Sequence, residues 1–174
     1  MSIVDNIFQE AKPSYFAHFV IRTSNYEAMV KWYEDFLQAQ RVFSNDRATF
    51  LTYDDEHHRV AIVNRPDLIP TTPQHAGIDH VAYSMASIHD LVINYERLKA
   101  LEILPYWGIN HGPTTSMYYR DPDGNQIELQ VDNWSEPGRT REYFQTPEFA
   151  ANPIGVAFDP EEFARDFQHR AEGI

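Results

Sequence analysis

The sequence contains no cysteine. Disulfides, thiolate nucleophiles and zinc–thiolate sites are therefore excluded, and the chain suits a reducing compartment. No apolar run approaches the roughly 18 residues of a membrane span. The opening segment MSIVDNIFQEAKPSYF lacks the basic stretch and apolar run of a signal peptide. A soluble, cytoplasmic protein is expected. Positive charge is also scarce: 14 Lys and Arg stand against 26 Asp and Glu, for a formal charge of −12. Such a surface repels phosphate backbones and anionic headgroups, which disfavours nucleic acid and membrane partners. Small ligands are not constrained by it, because a pocket can oppose the global sign.

Apolar residues make up 43% and aromatics 14% of 174 residues, a globular rather than disordered composition. That length supports one domain with a real core, so residues 1–174 read as a single domain.

The chain repeats itself. Sliding it by 62 residues superposes His18 on His80, Val30 on Val92, Tyr33 on Tyr95 and Glu34 on Glu96. Each copy opens with a strand-like run, Phe16–Arg22 or Ile78–Ser84, and a small polar turn. An amphipathic helix follows: Met29, Trp32, Tyr33 and Phe36 in one copy, Leu91, Val92, Tyr95 and Leu98 in the other. Asn25 and Ser87 are the expected N-caps. Strands then close each copy, at Arg41–Phe43, Thr49–Tyr53 and His58–Asn64, and at Thr115–Arg120 and Gln126–Val131. Asp121-Pro122-Asp123-Gly124 is a strong turn between the last pair, with Pro presetting φ and Gly accepting the left-handed position.

The expected fold is thus α+β, with two tandem βαβββ modules, 14–66 and 76–133, forming a half-open barrel. The Pro-rich stretch Pro66–Pro73 joins them. Residues 134–174 read as an irregular tail ending in a short helix, capped by Asp159 with Pro160 at its first position. Phe163 and Phe167 lie four apart and are expected to bury together, so the tail reads as structural, or as a lid.

Strand alternation assigns Ile127, Leu129 and Val131 to a face covered by a helix and Glu128 to the concave face, with Gln126 and Gln130. His18 and His80 occupy equivalent positions in the two opening strands, which a pseudo-two-fold axis would bring together. Two imidazoles and a carboxylate form a facial triad that leaves positions open on a divalent metal. A lone strand histidine is usually no ligand, and a lone Glu beside a turn is usually solvated. The repeat is what favours the metal reading, because Val30/Val92, Tyr33/Tyr95 and Glu34/Glu96 carry it without the histidines.

GIDHVAYS, then a helix, then YYRDPDGNQIELQ, resembles the vicinal oxygen chelate superfamily, and within it single-domain type I extradiol dioxygenases that cleave catechols and biphenyl-2,3-diol. The resemblance spans residues 14–133 and is most specific over Tyr118–Leu129. It implies His18, His80 and Glu128 as ligands of Fe(II) or Mn(II), a small aromatic diol and O2 as substrates, and both oxygen atoms entering the product. Relatives resembling glyoxalase I take a fourth, carboxylate ligand from the closing strand of the first half. Here that strand, His58-Arg59-Val60-Ala61-Ile62-Val63, offers none.

The resemblance also implies His58 as the acid–base residue, from its His-x-(hydrophobic)-Ala context, against a plain reading of His57 and His58 as an exposed hairpin pair. Tyr118, ten residues before Glu128, is implied as a hydrogen-bond partner of the substrate, or is an ordinary strand tyrosine. A second active-site histidine sits nine residues before that tyrosine in the family. Here that position is Ile109, and His111, seven before, is the nearest match. His75, His89 and His169 are read as non-functional, while Trp107, Tyr53, Phe50 and Tyr106 supply walls for an aromatic ring.

With one module pair only, the pocket is expected to be completed by the tail or by another subunit of a homo-oligomer. Two other functions remain open: a different metalloenzyme of the superfamily (a fosfomycin-resistance-like transferase, a lyase or an epimerase), or a metal-free module that binds aromatics.

Overall fold

The computed structural model describes residues 12–69, 72 and 74–172. The opening residues 1–11, and Pro70, Thr71 and Pro73 of the linker, lie outside the described residues.

The first half runs β1 (Phe19–Thr23), α1 (Tyr26–Leu37), β2 (Gln40–Ser44), β3 (Ala48–Thr52) and β4 (Val60–Asn64). The second repeats it as β5 (His80–Ser84), α2 (Ile88–Ala100), β6 (Trp107–Asn110), β7 (Thr114–Arg120) and β8 (Gln126–Asp132). The sheets are ordered β1-β4-β3-β2 and β5-β8-β7-β6, and the second is extended beyond β6 by a tail strand, β9 (Val156–Phe158). β1 pairs parallel with β4 and β5 parallel with β8, so each module places its opening strand at an open edge beside its closing strand.

Alternation sorts each sheet into a helix-covered face and a concave face. In α1, Tyr26, Met29, Val30, Tyr33 and Phe36 recur at helical spacing and are all buried. They meet Leu51, Val60 and Ile62 of the first sheet, and one continuous cluster carries on to Leu91, Leu98, Met117, Tyr119 and Ile127 of the second half. Phe36 packs edge-on against Tyr119 at 5.1 Å. Truncating Phe36 to Ala would cost about 3–5 kcal/mol and open the joint between the halves.

Polar contacts fix the same joint. Tyr33 donates to Asp121 Oδ2 at 3.1 Å, and Arg97 donates to the Asp35 and Phe36 carbonyls at the end of α1. Asp121 also builds its own turn by accepting from the backbone N–H groups of Asp123 and Asn125, with Gly124 at φ 85°. Burial raises the Asp121 carboxyl above the usual range, although its hydrogen bonds pull the other way.

Several expectations need correcting. Ser87 caps α2 by accepting from Asp90 N–H, but Asn25 makes no side-chain cap. Instead the Thr23 hydroxyl accepts from Asn25 N–H at 2.8 Å. His18 and His58 each precede their strands by one or two residues, and Tyr53 follows β3 rather than closing it. The second copy has a third closing strand, β6, whose 107–110 sequence lacks clear alternation.

The tail is more ordered than its composition suggested. It forms α3 (Arg139–Tyr143), α4 (Pro147–Ala151), β9 and α5 (Pro160–Glu172). Asp159 accepts from Glu162 N–H as expected of a cap. Phe163 stacks on Phe158 at 4.5 Å and Phe167 lies near His89, and both phenylalanines are half-buried against the common core, as their spacing predicts.

Candidate metal centre

Glu128 sits in the middle of β8 and is only 5% exposed. Its cross-strand neighbours are Tyr118 on β7 and Ala82 on β5. Two residues back along β5, and so on the same face, His80 turns its Nε2 to within 3.1 Å of Glu128 Oε2. The other ring nitrogen, Nδ1, lies 2.8 Å from Asp79 Oδ2. A carboxylate only accepts, so Nδ1–H donates to Asp79, and Nε2 faces Glu128 either as a second N–H or as a lone pair open to a cation. A lone pair facing a carboxylate oxygen at that distance is repulsive unless a proton or a cation lies between them. The His80–Glu128 pair therefore has the donor chemistry of a divalent metal site, with Asp79 orienting the imidazole from behind.

Tyr118 closes the same face. Its ring meets His80 edge-on at 5.4 Å and stacks on Trp107 at 4.9 Å. Its hydroxyl lies 3.1 Å from His111 Nε2. Burial first, and then the neighbouring Glu128 carboxylate, push the phenol well above its ordinary value, so it stays protonated and able to donate. His111 thus reaches the site despite its two-residue offset. At the rim, Tyr106 donates to Gln126 Oε1 and lies under the Arg120 guanidinium at 4.5 Å.

His18 lies elsewhere. It is exposed just before β1, with its ring 4.2 Å from His58 and 6.1 Å from His57. Phe50 stacks on His58 at 4.9 Å. Partial burial, and then the neighbouring His18 and His57, lower the His58 pKa from its ordinary value, which favours the neutral base. Among the described residues, no three His, Asp or Glu side chains converge closely enough to hold a metal ion. One chain therefore presents two partial sites: His18 with His58, and His80 with Glu128, Tyr118 and His111.

Of the expected aromatic walls, Trp107 and Tyr106 flank the second partial site and Phe50 the first. Tyr53 belongs to neither, because it packs edge-on against Tyr83, which alternation points away from Glu128. Asp79 went unnoticed in the sequence, although its adjacency to His80 was readable there. The Ile154 carbonyl, which contacts His111 Nδ1, had no signal, because a backbone acceptor carries no side-chain signature.

Residues 15–129 match the model of the Glyoxalase/Bleomycin resistance protein/Dioxygenase superfamily. The chain belongs to this superfamily. Membership implies a metal cofactor. Two relatives from Rhodococcus globerulus are similar over 146 residues, covering 83% of this chain and 77% of each relative. They are biphenyl-2,3-diol 1,2-dioxygenase 2, at 47% identity, and biphenyl-2,3-diol 1,2-dioxygenase 3, at 42%. Among solved structures, a glyoxalase/bleomycin resistance/dioxygenase domain from Frankia superposes with TM-score 0.60 at 16% identity, covering 74% of this chain and 99% of that one. Lactoylglutathione lyase from Agrobacterium tumefaciens gives 0.56 at 18% identity, covering 70% and 96%. At such identities the structures establish the fold alone, with two open mixed sheets and their helices.

Proposed function

We propose that this superfamily member is an extradiol ring-cleaving dioxygenase acting on a catechol-type diol of the biphenyl-2,3-diol class. The observation that carries this reading is the 47% identity to a biphenyl-2,3-diol 1,2-dioxygenase over most of the chain. A 2,3-diol cut between carbons 1 and 2 is opened beside its hydroxyls rather than between them. Both atoms of O2 enter the product as that carbon–carbon bond breaks. The lyase and fosfomycin-resistance folds resemble this one at far lower identity, and β4 (Val60–Asn64) contributes no carboxylate.

The proposed ligands are His18, His80 and Glu128, holding Fe(II) or Mn(II), which His and carboxylate donors suit equally. A bound ion of this kind supplies Lewis acidity to the diol hydroxyls and electron transfer to dioxygen. The remaining work falls to the chain's own groups. His58, kept neutral, takes and returns a proton. Tyr118 hydrogen-bonds a substrate hydroxyl, its phenol oxygen accepting while its own proton points to His111 Nε2. Trp107, stacked on Tyr118, offers an apolar wall for the ring.

We further propose that two copies share each site, His18 and His58 of one facing His80 and Glu128 of the other. What supports this is the separation of the two partial sites within one chain, together with the edge position of both β1 and β5. Exposed apolar side chains on these strands' concave side and nearby, Val20 at 54% and Phe43 at 47%, are suited to burial against a second copy.

The test is anaerobic loading with Fe(II) or Mn(II), followed by a catechol panel that includes biphenyl-2,3-diol, mixed with air. A yellow ring-opened product and about one metal per chain are expected, with metal lost in His18→Ala, His80→Ala and Glu128→Ala. Undiminished metal binding in all three variants would overturn the ligand set.

A further inference from the structure

His111 is held from two sides. On one, its Nε2 meets the Tyr118 hydroxyl at 3.1 Å, and on the other its Nδ1 lies 2.6 Å from the Ile154 carbonyl oxygen. A carbonyl can only accept, so Nδ1 carries a proton, and in the Nδ1–H tautomer Nε2 is the acceptor for the tyrosine. The tyrosine hydroxyl also faces Glu128, so its one proton has two possible acceptors.

Ile154 lies in the tail, beyond the segment that matches the superfamily model. Glycines let the tail come this close. β9 pairs antiparallel with β6, Val156 opposite Asn110 and Phe158 opposite Gly108. Gly155, immediately before β9, lies against Asn110 and His111 at φ 109°, a backbone conformation that L side chains rarely adopt. A Cβ there would lie 2.2 Å from the Asn110 carbonyl oxygen and 2.7 Å from His111 Cα. Asn152 clips the turn from both ends, its amide oxygen accepting from Gly155 N–H and its amide nitrogen donating to the Gly155 carbonyl. Gly112 makes a second close approach, where a Cβ would meet the Tyr143 ring of α3 at 2.6 Å.

We propose that the C-terminal tail is a working part of the active site: Gly155 admits the Ile154 carbonyl to His111, fixes the Nδ1–H tautomer and so sets Nε2 as the proton acceptor behind Tyr118. Gly155 and the Ile154 carbonyl are positioning elements that act through His111. The inference rests on the ring-opening reading above for its consequence, though not for its geometry.

The direct test is the imidazole nitrogen spectrum of the full-length, 15N-labelled protein, with His111→Gln identifying the resonance. The expected result is a single Nδ1–H tautomer for His111. An Nε2–H tautomer, or an averaged mixture, overturns the proposal whether or not any variant folds. In Gly155→Ala the tautomer signature should be lost and kcat should fall by about tenfold to a hundredfold, less than the full acid–base contribution of roughly 10²–10⁴. KM and bound metal should stay near wild type. A Gly155→Ala protein that keeps both tautomer and turnover overturns the role of the glycine, and one that loses its metal overturns the restricted positioning role. Diol cleavage with His111 in the Nε2–H form removes this inference and leaves the function standing. An Nδ1–H tautomer in a protein that opens no diol supports the tail contact and removes the ring-opening reading instead.

Discussion

Asp79→Ala removes the carboxylate that receives the His80 Nδ1–H at 2.8 Å. The backbone at this position should not move, because Gln126 donates to the Asp79 carbonyl at 3.2 Å independently of the side chain. The variant therefore frees the imidazole to rotate and to exchange tautomers while leaving both His80 and Glu128 in the chain. Outer partners of metal-binding histidines typically contribute about 10–100-fold in metal affinity. The Asp79 side chain is 82% exposed, so water can replace much of its hydrogen bond. The loss should accordingly fall near the lower end, about tenfold. Anaerobic titration with Fe(II) or Mn(II), read by equilibrium dialysis, measures it directly, and Asp79→Asn should recover part of the loss by still accepting from Nδ1–H. An unchanged affinity would show that Asp79 does not orient the ligand. A loss as large as that of His80→Ala would show that the variant disturbs far more than orientation.

Other outcomes follow from the same geometry. If sites are shared between copies, mixing inactive His18→Ala with inactive His80→Ala under subunit exchange should restore up to about one intact site per mixed dimer, whereas sites built within one chain would stay inactive. His58→Gln should keep its metal and bind diol yet turn over at least about a hundredfold more slowly. Tyr118→Phe should lose less, mainly in KM, and wild-type turnover in His58→Gln would remove that histidine from the mechanism. Burial raises the Asp121 carboxyl, so the folded state holds its proton more tightly than the unfolded state. Stability should then fall, relative to Asp121→Asn, as pH rises from about 4 through the raised value, a trend that urea denaturation at several pH values would detect. A difference independent of pH would contradict that sign.

Much of this was readable in the sequence because the repeat constrains both halves at once. The pairing of Val30 with Val92 and Tyr33 with Tyr95 reports two helices burying the same face, and the Asp121-Pro122-Asp123-Gly124 turn fixes the register that puts Glu128 opposite Tyr118. Equivalence under a repeat is not proximity, however. His18 and His80 are equivalent, but which faces of the two sheets meet depends on packing between α1, α2 and Tyr119 that no local pattern encodes. β6 was missed because Trp107–Asn110 is short and contains a glycine, and it is a strand only through its neighbours β7 and β9. The tail looked irregular because its order rests on close backbone approaches at Gly108, Gly112 and Gly155, which composition alone does not mark.

In the proposed reaction this chain inserts both atoms of dioxygen into a vicinal diol while cleaving the ring outside the two hydroxyls. Turnover of biphenyl-2,3-diol by the metal-loaded protein under 18O2, with mass analysis of the product, tests it most directly. Two labelled oxygens are expected, in a ring-opened product cleaved between carbons 1 and 2. A ring left closed, or a single labelled atom with the second drawn from water in proportion to turnover, would contradict it.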